Sequence, residues 1–395
     1  MLKKLLYPCA FLLSTLIIVS CSEESNPKFD SQSFTHIYDN ASFTSSFHPI
    51  DIVQTADGGY IFLNAEWDTT QFTYINLLKV DKSGHYVSEL SGGGDFRNAV
   101  GRLTVIGDSC YFFCMDEGAN AYLASVDVGL TAMKTRALGL RYPAVSTFNT
   151  TDGFILQSYN DDARESVLST ISTTGVIRSK GFNVGVGDDL VDEVIQNNFL
   201  RSGKKLPMEV GKVSSGQYFF TGFYNYTFSL IFTDMNADDP TGVVNGSQDD
   251  GGYSSIVPIS GNKFAGSRFN FGDNYFLPNT LINLTGDQIE TGFAMPELVS
   301  NAKVKILRAT INAKNVLIYA SDTKSRQIGL FFYDEATGVF ISSRYLGFSN
   351  PFEVSNLITT ADGGIAICGT TYLAGRFPRV CIFKLSEKEI NSNVK

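Results

Sequence analysis

The chain has 395 residues, enough for two or three ordinary domains or for one long repetitive all-β unit. Hydrophobic residues make up 43% and aromatic residues 13%, with 31 Phe and 18 Tyr, which excludes disorder outside a short segment near residues 22–32. Acidic residues outnumber basic ones by 40 to 31, and by 40 to 29 without Lys3 and Lys4; this excludes a nucleic-acid binder, which needs clustered Lys and Arg to neutralise phosphates.

Residues 1–20 begin with Lys3 and Lys4, run apolar from Leu5 to Val19 and end on a small residue before a cysteine. This is the pattern of a cleaved signal peptide, with an apolar stretch too short to span a bilayer comfortably. Ile18-Val19-Ser20-Cys21 resembles a bacterial lipobox, which implies a lipid on Cys21 as the first mature residue and a tether over 21–32. Ser22-Glu23-Glu24 resembles the export signal of Bacteroidetes lipoproteins, which implies an outer-membrane anchor facing the cell exterior. A plain secretory peptide is the other reading of these residues. No later apolar run is long enough to cross a membrane.

Ser33 to Tyr38 reads as a lone strand. From there the chain repeats. Thr55-Ala56-Asp57-Gly58-Gly59 and Thr360-Ala361-Asp362-Gly363-Gly364 each lie between two apolar strands, with glycines where the chain reverses. Further turns fall at Asp108, Asp152, Ser215, Gly261 and Ala313, so successive anchors lie 51, 44, 63, 46, 52 and 49 residues apart. Seven units of four short strands predict an all-β, seven-bladed β-propeller over residues 33–390, with a tail at 391–395. The last unit lacks an outer strand, and the lone N-terminal strand is expected to complete it and close the ring. Two stacked β domains are the alternative architecture. The 63-residue gap implies an insertion over 184–206, where Leu190, Val191, Val194 and Ile195 have helical spacing.

The Asp-Gly-Gly strand-turn-strand repeat resembles the propeller lipoproteins of Bacteroidetes. Many of these accompany TonB-dependent nutrient transporters and their lipoprotein lids, which implies the same company for this chain.

Cys110 and Cys114 lie four apart on one strand and cannot bond without distortion, while Cys368 and Cys381 sit on successive strands. These two either pair in an oxidising envelope or stay thiols, like the other two. His36, His48 and His85 are too scattered for a zinc site, so neither a metal nor another cofactor is expected.

In a propeller, the loops after the second and fourth strands of each unit share one face. Those loops supply the candidate ligand-binding residues Trp67, Tyr159, Arg164, Tyr224, Arg268, Phe269, Tyr275, Arg326, Tyr372 and Arg376. Aromatic faces stack on sugars or peptide side chains and arginines clamp carboxylates, which suits a peptide or an oligosaccharide. The sequence holds no Gly-x-Ser-x-Gly elbow and no His-Glu-x-x-His pair, so no catalytic residue is assigned. The expected role is a non-catalytic subunit of a nutrient uptake complex; an envelope hydrolase or lyase and a protein-binding scaffold are the alternatives.

Overall fold

The structure is a computed structural model that describes residues 33–39, 45–91 and 94–394. The expected signal segment, Cys21 and the tether lie outside the described residues.

Strand β1 (Phe34–Tyr38) is followed by β2 (Ser46–Gln54), β3 (Tyr60–Trp67), β4 (Tyr74–Val80) and β5 (Tyr86–Ser91). Then come β6 (Phe96–Ile106), β7 (Ser109–Asp116), β8 (Asn120–Asp127) and β9 (Met133–Arg141). The next group is β10 (Pro143–Asn149), β11 (Gly153–Asn160), β12 (Glu165–Ser172) and β13 (Gly175–Asn183). Helix α1 (Asp188–Phe199) precedes β14 (Val210–Lys212), β15 (Tyr218–Tyr224), β16 (Thr227–Thr233) and β17 (Gly242–Asn245). β18 (Gly251–Ser260), β19 (Lys263–Asn270) and β20 (Asp273–Leu281) are trailed by the short β21 (Asp287–Gln288) and β22 (Phe293–Ala294). β23 (Val304–Ile311), β24 (Lys314–Asp322), β25 (Ile328–Asp334) and β26 (Phe340–Leu346) follow. The chain ends with β27 (Phe352–Thr359), β28 (Ile365–Thr371), β29 (Arg379–Leu385) and helix α2 (Glu387–Asn393).

Among the described residues these strands form six hydrogen-bonded sheets. The seven-bladed count expected from the repeat is corrected here. β4 and β6 meet at one ladder position, Tyr74 opposite Arg97, and that contact fuses the first two repeats into one eight-stranded sheet. The second sheet is β10 to β13. The third is β14 to β17 with β21 added in parallel, and the fourth is β18, β19, β20 and β22. The fifth is β23 to β26, and the sixth runs β1-β29-β28-β27. In the sixth, β1 lies antiparallel to β29, from Phe34 opposite Lys384 to Tyr38 opposite Val380.

The reversals are built as the repeat predicts. Asp57 accepts hydrogen bonds from the Gly59 amide and the Thr55 hydroxyl, and Asp362 does the same for Gly364 and Thr360. Gly58 and Gly363 take φ of 84° and 79°, the left-handed region that glycine enters without a Cβ clash.

Packing lies between sheet faces. One apolar cluster joins the two halves of the first sheet, and others join first to second, second to third, and so on to fifth with sixth. Phe47, Phe62 and Val80 of the first sheet then pack on Ala366, Cys368 and Ile382 of the sixth. Sheets stacked face to face in a ring make this an all-β β-propeller. The opening strands of neighbouring repeats touch around the axis: β2 meets β6 and β27, β10 meets β6 and β14, and β23 meets β18 and β27.

All four described cysteines are buried free thiols. Cys368 stands opposite Ile382, so its neighbour-strand partner Cys381 is one position out of register and points to the other face of the pleat. Ser386 and Glu389 form a capping box that starts α2, and Ile390 and Val394 are buried in the cluster between the fifth and sixth sheets.

Candidate functional site

The insertion forms the predicted helix and lies across the loop face. Gly187 begins α1 with φ 83°, and Asp188 and Asp189 sit in its first turn, where their charge favours the helix N-terminus. Val191, Ile195 and Phe199 face inward onto Met115, Tyr159, Phe223 and Phe269, which come from the first four sheets. Leu190 is exposed. The segment after α1 reaches further: the Arg201 amide donates to Gln71 O at 2.8 Å and its Nε to Thr70 O at 2.9 Å. Asn98 donates to Phe199 O at 2.6 Å, and Lys204 pairs with Asp249 and Asp250 at 2.7 and 3.1 Å. The insertion is thus bolted to the loops of the first, third and fourth sheets.

Beside it, charged groups from separate sheets share one electrostatic neighbourhood at the channel mouth. His48, on β2, packs its ring on Trp67 with centroids 4.2 Å apart, and its Nε2 is enclosed without a hydrogen-bond partner among the described residues. Burial, then the charge of Lys303, push this imidazole down to about 4, so it is neutral at pH 7. Lys205 donates to the α1 carbonyls of Asn198 and to Leu200 O at 2.6 and 2.7 Å. It is solvent-accessible, yet surrounded closely enough that burial, followed by Lys303, lowers its ammonium to about 8. Asp322 is buried and accepts from the Val354 amide at 2.6 Å. Burial lifts its carboxyl to about 7; the Val354 hydrogen bond opposes this, Glu353 adds to it and Lys303 opposes it. Lys305 lies 3.6 Å from Glu209, whose carboxyl burial nonetheless raises.

The ten candidate residues divide. Trp67 and Tyr372 belong to the mouth, Trp67 through His48 and Tyr372 through burial and the charges of Glu353 and Asp322, which raise its phenol. Arg268, Phe269 and Tyr275 gather elsewhere, with the Arg268 guanidinium 4.7 Å from the Tyr275 ring centre. Tyr159 and Phe269 are buried packing residues, and the Tyr159 hydroxyl is spent on Asp192 at 2.6 Å. Arg164 holds Asp188 at the start of α1, 3.1 Å away. Tyr224 packs at the edge of the cluster between the second and third sheets. Arg326 is an exposed turn residue with φ 65°, and Arg376 lies 3.7 Å from Asp39. Sequence reasoning passed over Lys205, Glu209, Lys303 and Glu353. The available signal was charge on or next to an opening strand, where an ordinary sheet would place apolar residues.

A cleft of about 340 Å³ opens at the seam between the third and fourth sheets. Its walls include Asn245, Ser247, Arg268, Asn270, Asp287 and Gln288.

No protein-family model matches the chain, and no curated protein matches it in sequence. Among solved structures the chain is similar to Raptor from Chaetomium thermophilum, at 9% identity and a TM-score of 0.53, over 89% of this chain and 30% of that one. It is also similar to the Dos1 propeller, at 9% identity and a TM-score of 0.46, over 89% and 95% of the two chains. NanB in complex with Optactamide matches at 9% identity and a TM-score of 0.49, over 90% and 71%. Such likeness is one of fold alone.

Proposed function

We propose that this chain is a lipid-anchored β-propeller of the outer membrane, held by a lipid on Cys21, facing the cell exterior and serving a nutrient uptake complex as a non-catalytic ligand-binding subunit. The observation that carries the ligand-binding half is the loop face. There an open cleft lies on the same side as a channel mouth whose charged groups come from different sheets. Concave sites with a few convergent polar groups are where propellers and other folds take small ligands. The anchoring half rests on Ile18 to Glu24 and the partner half on the Asp-Gly-Gly repeats.

The test is recovery of the full chain from membranes through an affinity tag, with identification of what comes with it. A TonB-dependent transporter and its lipoprotein lid are the expected companions, together with a fatty-acylated Cys21 by mass spectrometry. Recovery of the chain alone, unmodified and in the soluble fraction, overturns the proposal.

A further inference from the structure

The cleft between the third and fourth sheets has polar groups left over. The Asn270 and Gln288 side-chain amides and the Ser247 hydroxyl have no hydrogen-bond partner among the described residues. Arg268 donates from Nη1 to Glu290 O at 3.1 Å, while its buried Nε has no partner among the described residues. Asp287 accepts the Asn283 and Gln288 amides, one on each oxygen at 2.8 Å, which leaves lone pairs on both.

The floor is bare for a steric reason. A Cβ on Gly246 would lie 2.1 Å from Phe228 O and 2.3 Å from Gly251 O, and one on Gly252 would lie 2.8 Å from Phe228. Crowding against backbone therefore requires glycine at both positions, and neither contributes a side chain to the seam.

Three properties select a ligand. The volume is at the low end for ligand pockets, which suits one ring-sized group rather than an extended chain. The walls carry one guanidinium and one carboxylate, so a cationic or anionic ligand meets a like charge as well as an opposite one. The remaining groups are amides and a hydroxyl, each donor and acceptor at once. A hydroxyl on the ligand has the same dual character, whereas an apolar ligand would strand these groups without partners.

We infer that this cleft binds a neutral sugar ring, through the amides of Asn270 and Gln288 and the carboxylate of Asp287. This deepens the ligand-binding reading above and rests on it.

The test titrates the detergent-solubilised full chain with maltose, cellobiose, lactose and N-acetylglucosamine, and in parallel with glucuronate and a glycyl-glycine dipeptide, by calorimetry. At least one neutral sugar is expected to bind. Asn270→Ala and Gln288→Ala, each removing one hydrogen-bonding group, are expected to weaken it about fivefold. Gln288 is exposed, so that variant leaves packing untouched, and thermal unfolding checks both. Stronger binding of glucuronate or the dipeptide, no binding of any neutral sugar, or sugar binding indifferent to both variants overturns the inference. Recovery of transporter components is read on the same preparation. A failed titration with companions present therefore condemns the sugar and spares the accessory role.

Discussion

Asn356 donates its side-chain amide to Asp51, joining residues 305 positions apart on the neighbouring opening strands β27 and β2. Asp51 is buried on β2, and its other oxygen accepts the Leu103 amide of β6 at 2.6 Å. One carboxylate therefore ties together the opening strands of three repeats. Asp51→Ala leaves the buried Leu103 N–H and the half-buried Asn356 amide without this partner, and about 3 kcal/mol of stability is expected to go with it. Urea denaturation measures the loss, and a change below about 0.5 kcal/mol would contradict this bridging role.

The channel mouth gives stability a pH dependence with two opposed parts. Asp322 titrates near 7 in the folded chain against 3.8 unfolded, so the folded state holds more protons between those limits. Its contribution falls as pH rises from about 4 to about 7, by a total on the order of 4 kcal/mol. His48 titrates near 4 folded against 6.5 unfolded, so its contribution is complete above 6.5 and falls as pH drops toward 4. Asp322→Asn is expected to match the parent at pH 4 and to exceed it at pH 7.5. NMR of the His48 ring should show no titration above pH 5.

The two sharp Asp-Gly turns predict unequal costs. Lys384 is 2% exposed and 3.0 Å from Asp362, whereas Lys79 is 12% exposed beside an Asp57 that is 58% exposed. Asp362→Ala strands a buried ammonium and is expected to cost about 3 kcal/mol. Asp57→Ala, in the same sequence context, should cost about 1 kcal/mol. Equal losses in denaturation would show that the lysine does not set the difference.

Tyr159 was a ligand candidate by its loop position, but its hydroxyl pins α1 through Asp192. Tyr159→Phe is expected to lower stability by about 2 kcal/mol and leave sugar titration unchanged. Altered binding with unaltered stability would return Tyr159 to the site.

These residues also mark what could be read from the chain. The Asp57 and Asp362 turns were legible because five adjacent residues recur in one order, and such local chemistry needs no tertiary context. Val191 and Ile195 announced α1 by their spacing. α2 was readable in Ser386 and Glu389, but with only Ile390 and Val394 as apolar contacts it offered too few positions to show a period. The fusion of the first two repeats depends on one ladder contact, Tyr74 with Arg97, which no pattern in either strand announces. The mouth was hidden for a related reason. Lys303, Lys205 and His48 are single residues on different repeats, and only the ring makes them neighbours.

The hydrogen bond from the Ser386 amide to the Ser33 hydroxyl spans 353 positions, and β1 sits between the two ends of that separation as the outer strand of the sixth sheet. On the ribosome, β1 emerges long before β29. At about 5–20 residues per second, the wait is roughly 18–70 s. Throughout it, Phe34 to Tyr38 is an unpaired edge that any exposed strand can capture. The sixth sheet therefore cannot take its full set of strands until β29 has been made.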